Sequence, residues 1–129
     1  MTQLTEDVRG FSMNGDINGL ESTIMSSLPI PVIAVDNDDN ISYVNAAAEQ
    51  FFRGSVVTLT GINLQDIIPH DSPIYALVHK TRRRGYSMSE FGVRLSTPRI
   101  GTHTVAVDSA PVGDSPGGVL LTFHQQSMA

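Results

Sequence analysis

The stretch that decides the fold runs from Pro31 to Asp71 and reads PVIAVDNDDNISYVNAAAEQFFRGSVVTLTGINLQDIIPHD. It opens with a short apolar segment, Val32–Val35, whose β-branched side chains predict a buried strand. Only Asp and Asn occupy positions 36–40, and these residues predict a turn because their side chains bond the local backbone and tolerate left-handed angles. Ile41–Val44 then reads as the returning strand of a hairpin.

Helical segments follow this hairpin, each marked by residues that begin or end helices. Asn45 can cap the first helix through its side-chain oxygen. Pro69 stops a short helical turn, since the residue before a proline disfavours helical angles. Proline suits the first position of a helix, while cationic residues and glycine are typical of its end. The predicted segments are Ala46–Phe52, Leu64–Ile68 and a longer helix from Ser72–Pro73 to Arg82–Gly85.

The rest of the chain alternates apolar and polar residues in the manner of strands. Gly- and Pro-containing links at positions 97–101 and 113–118 predict turns between them. Successive strands with short links form an antiparallel meander, so the fold class is α+β. The strands are predicted around Phe91–Leu95, His103–Val107 and Val119–Phe123.

The N-terminal region is predicted to be a tail followed by a helix. Residues 1–15 lack sustained periodicity and predict a flexible tail, so that a single domain occupies 16–129. An apolar stripe predicts a helix over 16–28, which ends before Pro29. Ile17, Leu20 and Ile24 approximate heptad spacing, so this helix either contacts the same helix of a second copy through them or covers its own sheet.

The composition excludes several classes of protein. The chain has 129 residues, a net charge of −5 and no cysteine. The absence of cysteine excludes disulfides, cysteine-ligated zinc and thiol catalysis. The negative charge disfavours binding to nucleic acid or anionic lipid, and no apolar run is long enough to span a bilayer. The N-terminus lacks a secretory pattern, so we expect a cytoplasmic location.

The sequence matches no metal-binding or catalytic motif. A calcium loop that begins at Asp36 would place Ile41 and Ala47 where glycine and a bidentate glutamate are required. His103 and His124 lie in predicted strands without a third ligand, so no metal site is expected. The Arg82–Arg84 run complements the helix dipole and needs no phosphate partner. No Gly-x-Ser-x-Gly elbow occurs, and no catalytic residue is predicted.

The order of these motifs resembles that of the PAS domain family over about residues 24–125. The family's common pattern is matched at Asn45, Gly54, Leu59–Gly61, Leu64–Ile68 and Pro69–Asp71. Within the family, the similarity is to the N-terminal sensor domains of NtrB-type nitrogen-regulation histidine kinases. That narrower resemblance rests on Leu28–Asp36, Ile41–Gln50 and Gly117–Phe123.

The resemblance implies a fold and a role. The fold is a five-stranded antiparallel sheet in the order 2-1-5-4-3, with short helices on one face and an N-terminal helix. The role is that of a cytoplasmic sensory and dimerisation domain, which modulates autophosphorylation of a two-component histidine kinase and phosphotransfer to a response regulator. The implied partners are a second copy, the kinase domain of the same parent protein and that regulator. The chain contains no phospho-acceptor histidine box or ATP lid, so we expect a non-catalytic input domain.

Ligand-binding relatives hold a cofactor between the helices and the sheet. Flavin photochemistry of the adduct type needs a thiol, which this chain lacks. A haem ligand would stand about where Ile74 is found, and His79 is rotated away from that face. We therefore expect no cofactor; the alternative is a small-molecule or cofactor receptor domain of another signalling protein, with a pocket reached near Tyr75 or Arg94. The residues expected to line or fill the cavity are Val35, Phe51, Phe52, Ile67, Ile74, Leu77, Val78, Phe91, Val105 and Phe123.

Overall fold

The structure, a computed structural model, describes residues 24, 27–113 and 116–126. Strands and helices occur in the order that the sequence predicts, with one additional short helix. In chain order the elements are β1 (Val32–Val35), β2 (Ile41–Val44), α1 (Ala46–Phe52), α2 (Val56–Leu59), a 3₁₀ turn (Leu64–Asp66), α3 (Ile74–Arg84), β3 (Met88–Thr97), β4 (Gly101–Pro111) and β5 (Val119–Gln125).

The strands form one antiparallel sheet in the order β2-β1-β5-β4-β3, which confirms the predicted fold. The last strand, β5, lies at the centre and pairs with β1 through Val32 opposite Thr122. The outer side of β2 is partly covered by a loop, since Ile41 donates to the Ile62 carbonyl at 2.8 Å and accepts from Gly61 at 2.7 Å. This leaves β3 as the long strand at the opposite edge.

The predicted turn between β1 and β2 is held by its own side chains. The Oδ1 atom of Asp36 accepts hydrogen bonds from the backbone N–H groups of Asp38 at 2.9 Å and Asn40 at 3.0 Å. Asp39 adopts a left-handed conformation with φ 65°, which aspartate tolerates better than most residues. The turn is therefore specified locally, as the run of Asp and Asn residues predicts.

The additional helix, α2, is a single turn that periodicity does not reveal. Ser55 and Thr58 form a reciprocal capping box, in which each side-chain oxygen accepts from the other residue's backbone N–H. Leu59 ends this turn and packs against Gly54, where an added Cβ would lie 2.8 Å from the Leu59 Cγ. Glycine is thus required at position 54 by close packing between α1 and α2.

The core lies between the helices and one face of the sheet. Alternate residues of each central strand enter it, and the buried side of α3 contributes Ile74, Leu77 and Val78. Burial of this apolar surface is the main stabilising contribution to such a domain. The largest side chains that are almost fully buried are Phe52, Phe123, Ile33, Ile41, Leu64, Ile68, Ile74, Leu95 and Leu121.

Phe91 was predicted to line the interior cavity, and this prediction is wrong. Its side chain is 72% exposed, whereas Val93 and Leu95 on the same strand are buried. A bulge interrupts the pairing of β3 with β4 between Glu90 and Val93, so strict alternation does not extend to Phe91. Gly92, inside the bulge, has φ 66°, an angle that glycine adopts without steric cost.

Most of the N-terminal prediction lies outside the described residues. This applies to the flexible tail over 1–15, to most of the helix over 16–28, and to Ile17 and Leu20. Ile24 is described: it is helical and 52% exposed.

Candidate functional site

Asn45 joins three parts of the domain through one buried side chain. Its Oδ1 atom accepts hydrogen bonds from the backbone N–H groups of Val32 and Ala48, each at 2.9 Å. Its Nδ2 atom donates to the Ile30 carbonyl at 2.9 Å. The residue therefore caps α1 and also fixes the segment that leads into β1. Both duties are structural, in agreement with the sequence-based interpretation.

Arg82 is distinguished from its neighbours in the Arg82–Arg84 run by its contacts. Its guanidinium donates to the Gly117 carbonyl at 2.7 Å, to the Asp36 carbonyl at 3.0 Å and to the Asp39 carboxylate at 2.7 Å. Arg83 is exposed, and Arg84 donates to the Tyr86 hydroxyl at 3.2 Å. The run is therefore not a uniform cationic patch, because its first residue ties α3 to two turns of the sheet.

Aromatic rings connect α1 to the end of β5. The Phe52 and Phe123 rings meet edge to face with centroids 5.3 Å apart, and the Phe51 ring stacks on Phe123 at 6.1 Å. Phe51 also contacts the His103 ring at 5.0 Å. The other side of that imidazole is bonded, since the Gln125 amide lies 2.7 Å from its Nδ1 atom. The ring positions of α1 are thus coupled to the last residue of β5.

The residue that follows β5, Gln126, is hydrogen-bonded to β4 and to β3, the two strands on one side of β5. The Gln126 N–H donates to the Thr104 carbonyl at 2.9 Å. Its Oε1 atom accepts from the Gly92 N–H at 2.6 Å, within the bulge of β3. These contacts hold the point at which the chain leaves the sheet.

Tyr75 fixes the loop between the 3₁₀ turn and α3. Its hydroxyl donates to the Ile68 carbonyl at 2.7 Å. Burial of the phenol, followed by the negative charges of Asp39 and Asp66, raises the pKa of Tyr75 to about 12. The hydroxyl is consequently a neutral donor, and it holds Ile68 against the core.

The structure separates the predicted lining residues into a closed core and two surface grooves. Val35, Ile74, Leu77, Val78 and Val105 belong to the core cluster and line neither groove. Phe52 and Ile67 line a groove of about 500 Å³ beside the β3–β4 turn. Phe51 and Phe123 line a groove of about 480 Å³ beside the incoming segment Pro29–Pro31.

One cluster on the strands contains the residue types of a hydrolase triad in an arrangement unsuited to catalysis. Ser89 donates to one carboxylate oxygen of Asp108 at 2.5 Å, and the His124 Nε2 atom lies 3.0 Å from the other. In a nucleophilic triad the histidine must contact the serine so that it can accept the serine proton. Here Asp108 lies between them, so His124 is not placed to activate Ser89.

The remaining histidines occupy separate places. His103 bonds the Ile100 carbonyl at 2.7 Å, His79 is exposed on α3, and His70 is exposed in the Pro69–Asp71 turn. Within residues 24, 27–113 and 116–126, no group of three or more His, Asp or Glu side chains could hold a metal ion. None of the helices described combines the length and apolarity needed to cross a membrane.

With this sheet order and these helices, the chain belongs to the PAS family: the model of that family, described as the PAS fold, matches residues 21–125. The chain is similar in sequence to sensory histidine kinase/phosphatases named NtrB. The protein of Azospirillum brasilense is 35% identical over 108 residues, which cover 84% of this chain and 27% of the relative. The protein of Rhizobium meliloti (strain 1021) is 34% identical over 113 residues, which cover 87% and 30%. The chain thus spans less than a third of these relatives.

Solved structures with the same fold include a domain of a nitrogen regulation protein. The PAS domain of nitrogen regulation protein NR(II) from Vibrio parahaemolyticus has a TM-score of 0.72 and 22% identity, with coverage of 83% of this chain and 98% of that one. The Rhodobacter sphaeroides LOV protein also has a TM-score of 0.72, at 12% identity, with coverage of 90% and 70%. At these identities the likeness shows the fold alone.

Proposed function

We propose that this chain is the sensory input domain of an NtrB-like histidine kinase of a two-component nitrogen-regulation system. In this role it modulates the autophosphorylation of its parent and phosphotransfer to a response regulator, and it has no catalytic activity of its own. The observation that carries the proposal is the identity of 34% to 35% with NtrB kinases over 84% to 87% of the chain. In the Ser89, Asp108 and His124 cluster the aspartate lies between the other two side chains, so the histidine is not placed to accept the serine proton, which supports a non-catalytic role.

The contacts of β5 suggest how such a domain works. A displacement of the segment before β1 would move β5, because the Phe123 N–H donates a hydrogen bond of 3.0 Å to the Pro31 carbonyl. A displacement of α1 would also move β5, because the Phe51 and Phe123 rings are stacked on each other. We infer that the domain biases the kinase by shifting Gln125 and the residues after it between two positions.

The proposed homodimer forms through the N-terminal helix, with Ile17, Leu20 and Ile24 as its contacts. The 52% exposure of Ile24 supports this role, because an exposed isoleucine on a helix is available to a partner. Sedimentation velocity of Leu20→Asp tests the dimer, with Val57→Asp as the matched control at a side chain that is 87% exposed. We expect Leu20→Asp to shift the chain toward monomer and Val57→Asp to leave its distribution unchanged. Equal distributions for the two variants would rule out this interface.

The kinase assignment is tested in the parent protein. Incubation with ATP should give an acid-labile, base-stable phosphate, as expected for phosphohistidine, which is then transferred to the response regulator. Gln125→Ala should change the rate of autophosphorylation because it removes the hydrogen bond between the end of β5 and the His103 Nδ1 atom, whereas Arg94→Gln, an exposed change on β3, should not. A parent protein without phosphohistidine would contradict the assignment.

A further inference from the structure

We propose that the groove beside the β3–β4 turn binds a small monoanion with a flat apolar body, such as an aromatic carboxylate. The carboxylate would lie between Arg99 and His70, and the apolar body would rest on the core side chains beneath. This β3–β4 groove lies between two segments, Gln65–His70 and Ser96–Ile100. It is distinct from the closed interior, in which the residues of the core cluster pack against one another.

The size and floor of the β3–β4 groove suit a small organic molecule. Its volume of about 500 Å³ falls within the range of ligand sites, which are mostly apolar with a few placed polar groups. Its apolar floor includes the buried residues Phe52, Ile68 and Ile100. A flat hydrocarbon that covers these atoms would be removed from water together with them, which favours binding.

Arg99 supplies a cation that is already oriented. Its Nε and Nη2 atoms both donate to the Arg53 carbonyl, at 2.9 Å and 2.5 Å. These bonds fix the plane of the guanidinium at the rim, while its Nη1 atom has no partner among the residues that the structure describes. A fixed guanidinium loses little side-chain entropy when it binds a carboxylate, and its charge strengthens the hydrogen bond.

His70 approaches from the other segment of the groove. Its turn is held by the Ser72 N–H, which donates to the Pro69 carbonyl at 3.0 Å, and by the Tyr75 contact with Ile68. The His70 ring makes no hydrogen bond within the described part of the chain. Because imidazole has an N–H donor in its neutral and its charged forms, it can bond an anion in either form.

Asp66 limits the charge that the β3–β4 groove accepts. Its side chain lines the same groove, and one carboxylate oxygen accepts the Asn63 N–H at 3.1 Å. This fixed carboxylate repels every anion, and the repulsion grows with the negative charge of the ligand, so a dianion is disfavoured more than a monoanion. The groove therefore favours a single carboxylate over a phosphate or a dicarboxylate.

A ligand bound in the β3–β4 groove would contact Phe52, which forms part of the floor. Since the Phe52 ring packs against Phe123, the ligand could displace the end of β5. An effect of the ligand on a kinase rests on the proposed function, whereas binding itself does not. The site is therefore tested on the 129-residue chain without a kinase.

The test is a titration of the ¹⁵N-labelled chain with benzoate, followed by the amide resonances. Benzamide and benzylamine serve as the neutral and the cationic analogues. We expect saturable shifts at Ile68, Thr97 and Ile100 with benzoate, and much weaker shifts with either analogue. Arg99→Gln and His70→Gln should each weaken benzoate binding, the former by about tenfold, since it removes a charge-assisted hydrogen bond.

Matched controls are available for both variants. Arg94→Gln and His79→Gln remove an exposed arginine and an exposed histidine outside the groove, and both should bind benzoate as the parent chain does. Saturation at these amides with the expected losses supports the site. Equal binding of benzamide, unchanged affinity in Arg99→Gln or His70→Gln, or shifts confined to other residues would overturn it. A parent without phosphohistidine would overturn the proposed function and leave this result standing.

Discussion

The guanidinium of Arg82 lies 2.7 Å from the Oδ1 atom of Asp39, so that the last turn of α3 is joined to the β1–β2 turn. The two side chains are only 18% and 31% exposed, and the same guanidinium also bonds the Gly117 carbonyl. A partly buried, multiply bonded pair of this kind contributes more than an ion pair in open solvent. Arg82 therefore stabilises the packing of α3 against the sheet.

Arg82→Gln should lower the free energy of unfolding by about 2 kcal/mol, because it leaves backbone and carboxylate acceptors without their charged donor. Arg83→Gln, in the same turn but exposed, should change it by less than about 0.5 kcal/mol. Urea denaturation measures both. A double-mutant cycle with Asp39→Asn, which tolerates the left-handed backbone, should give a coupling of about 1 kcal/mol. Equal losses of unfolding free energy in Arg82→Gln and Arg83→Gln would show that Arg82 stabilises the domain only through its charge at the helix end, and not through its hydrogen bonds.

Asn45→Ala should cost about 3 kcal/mol, since it removes a helix cap and leaves the buried Val32 N–H without an acceptor. Ser55→Ala is the comparison, because it also removes a helix cap but at an exposed position. We expect a loss of about 1 kcal/mol or less there. Thermal and urea unfolding give the two values, and a loss at Asn45 no larger than at Ser55 would contradict its role as a junction.

Phe91→Ser should leave stability within about 0.5 kcal/mol of the parent, because the ring is 72% exposed. Phe123→Ala should cost about 4 kcal/mol, since its ring is buried between α1 and the sheet. The comparison tests whether the bulge of β3 removes Phe91 from the core. A large loss at Phe91 in urea denaturation would place that ring inside.

Tyr75 should make the domain less stable in alkali. Its pKa of about 12 in the folded chain exceeds the ordinary value of 10.0, so folding favours the protonated phenol. This contribution is complete below pH 10 and is lost as the pH rises from 10 to about 12. Tyr75→Phe should be slightly less stable at neutral pH, where it lacks the bond to Ile68, and less sensitive to this rise in pH. The difference in phenolate absorbance between the parent chain and Tyr75→Phe measures the pKa, and a value near 10 would contradict the burial of the group.

The fold could be predicted from the sequence because its signals are local. The Asp and Asn run specifies its own turn, Asn45 caps the helix that follows it, and alternation marks the strands. The short helix α2 was missed because one turn is too short for a helical period, although Ser55 and Thr58 carried a capping signal.

Features that depend on distant contacts could not be predicted in the same way. The exposure of Phe91 depends on a bulge at Gly92, whose N–H bonds Gln126, far along the chain. Arg82 differs from Arg83 only through partners on other elements. Arg99 and His70 line the same groove only once the sheet has formed.

The hydrogen bond from the Phe123 N–H to the Pro31 carbonyl shows that the chain enters and leaves the sheet side by side, on adjacent antiparallel strands. A pull between these two points therefore acts at one end of the β1–β5 ladder and opens its bonds one after another, as in a zipper. In single-molecule pulling we expect the domain to open at a lower force than when the same strands are sheared along their length. Mechanical tension in a longer protein would thus separate β1 from β5 before it disturbed the helices.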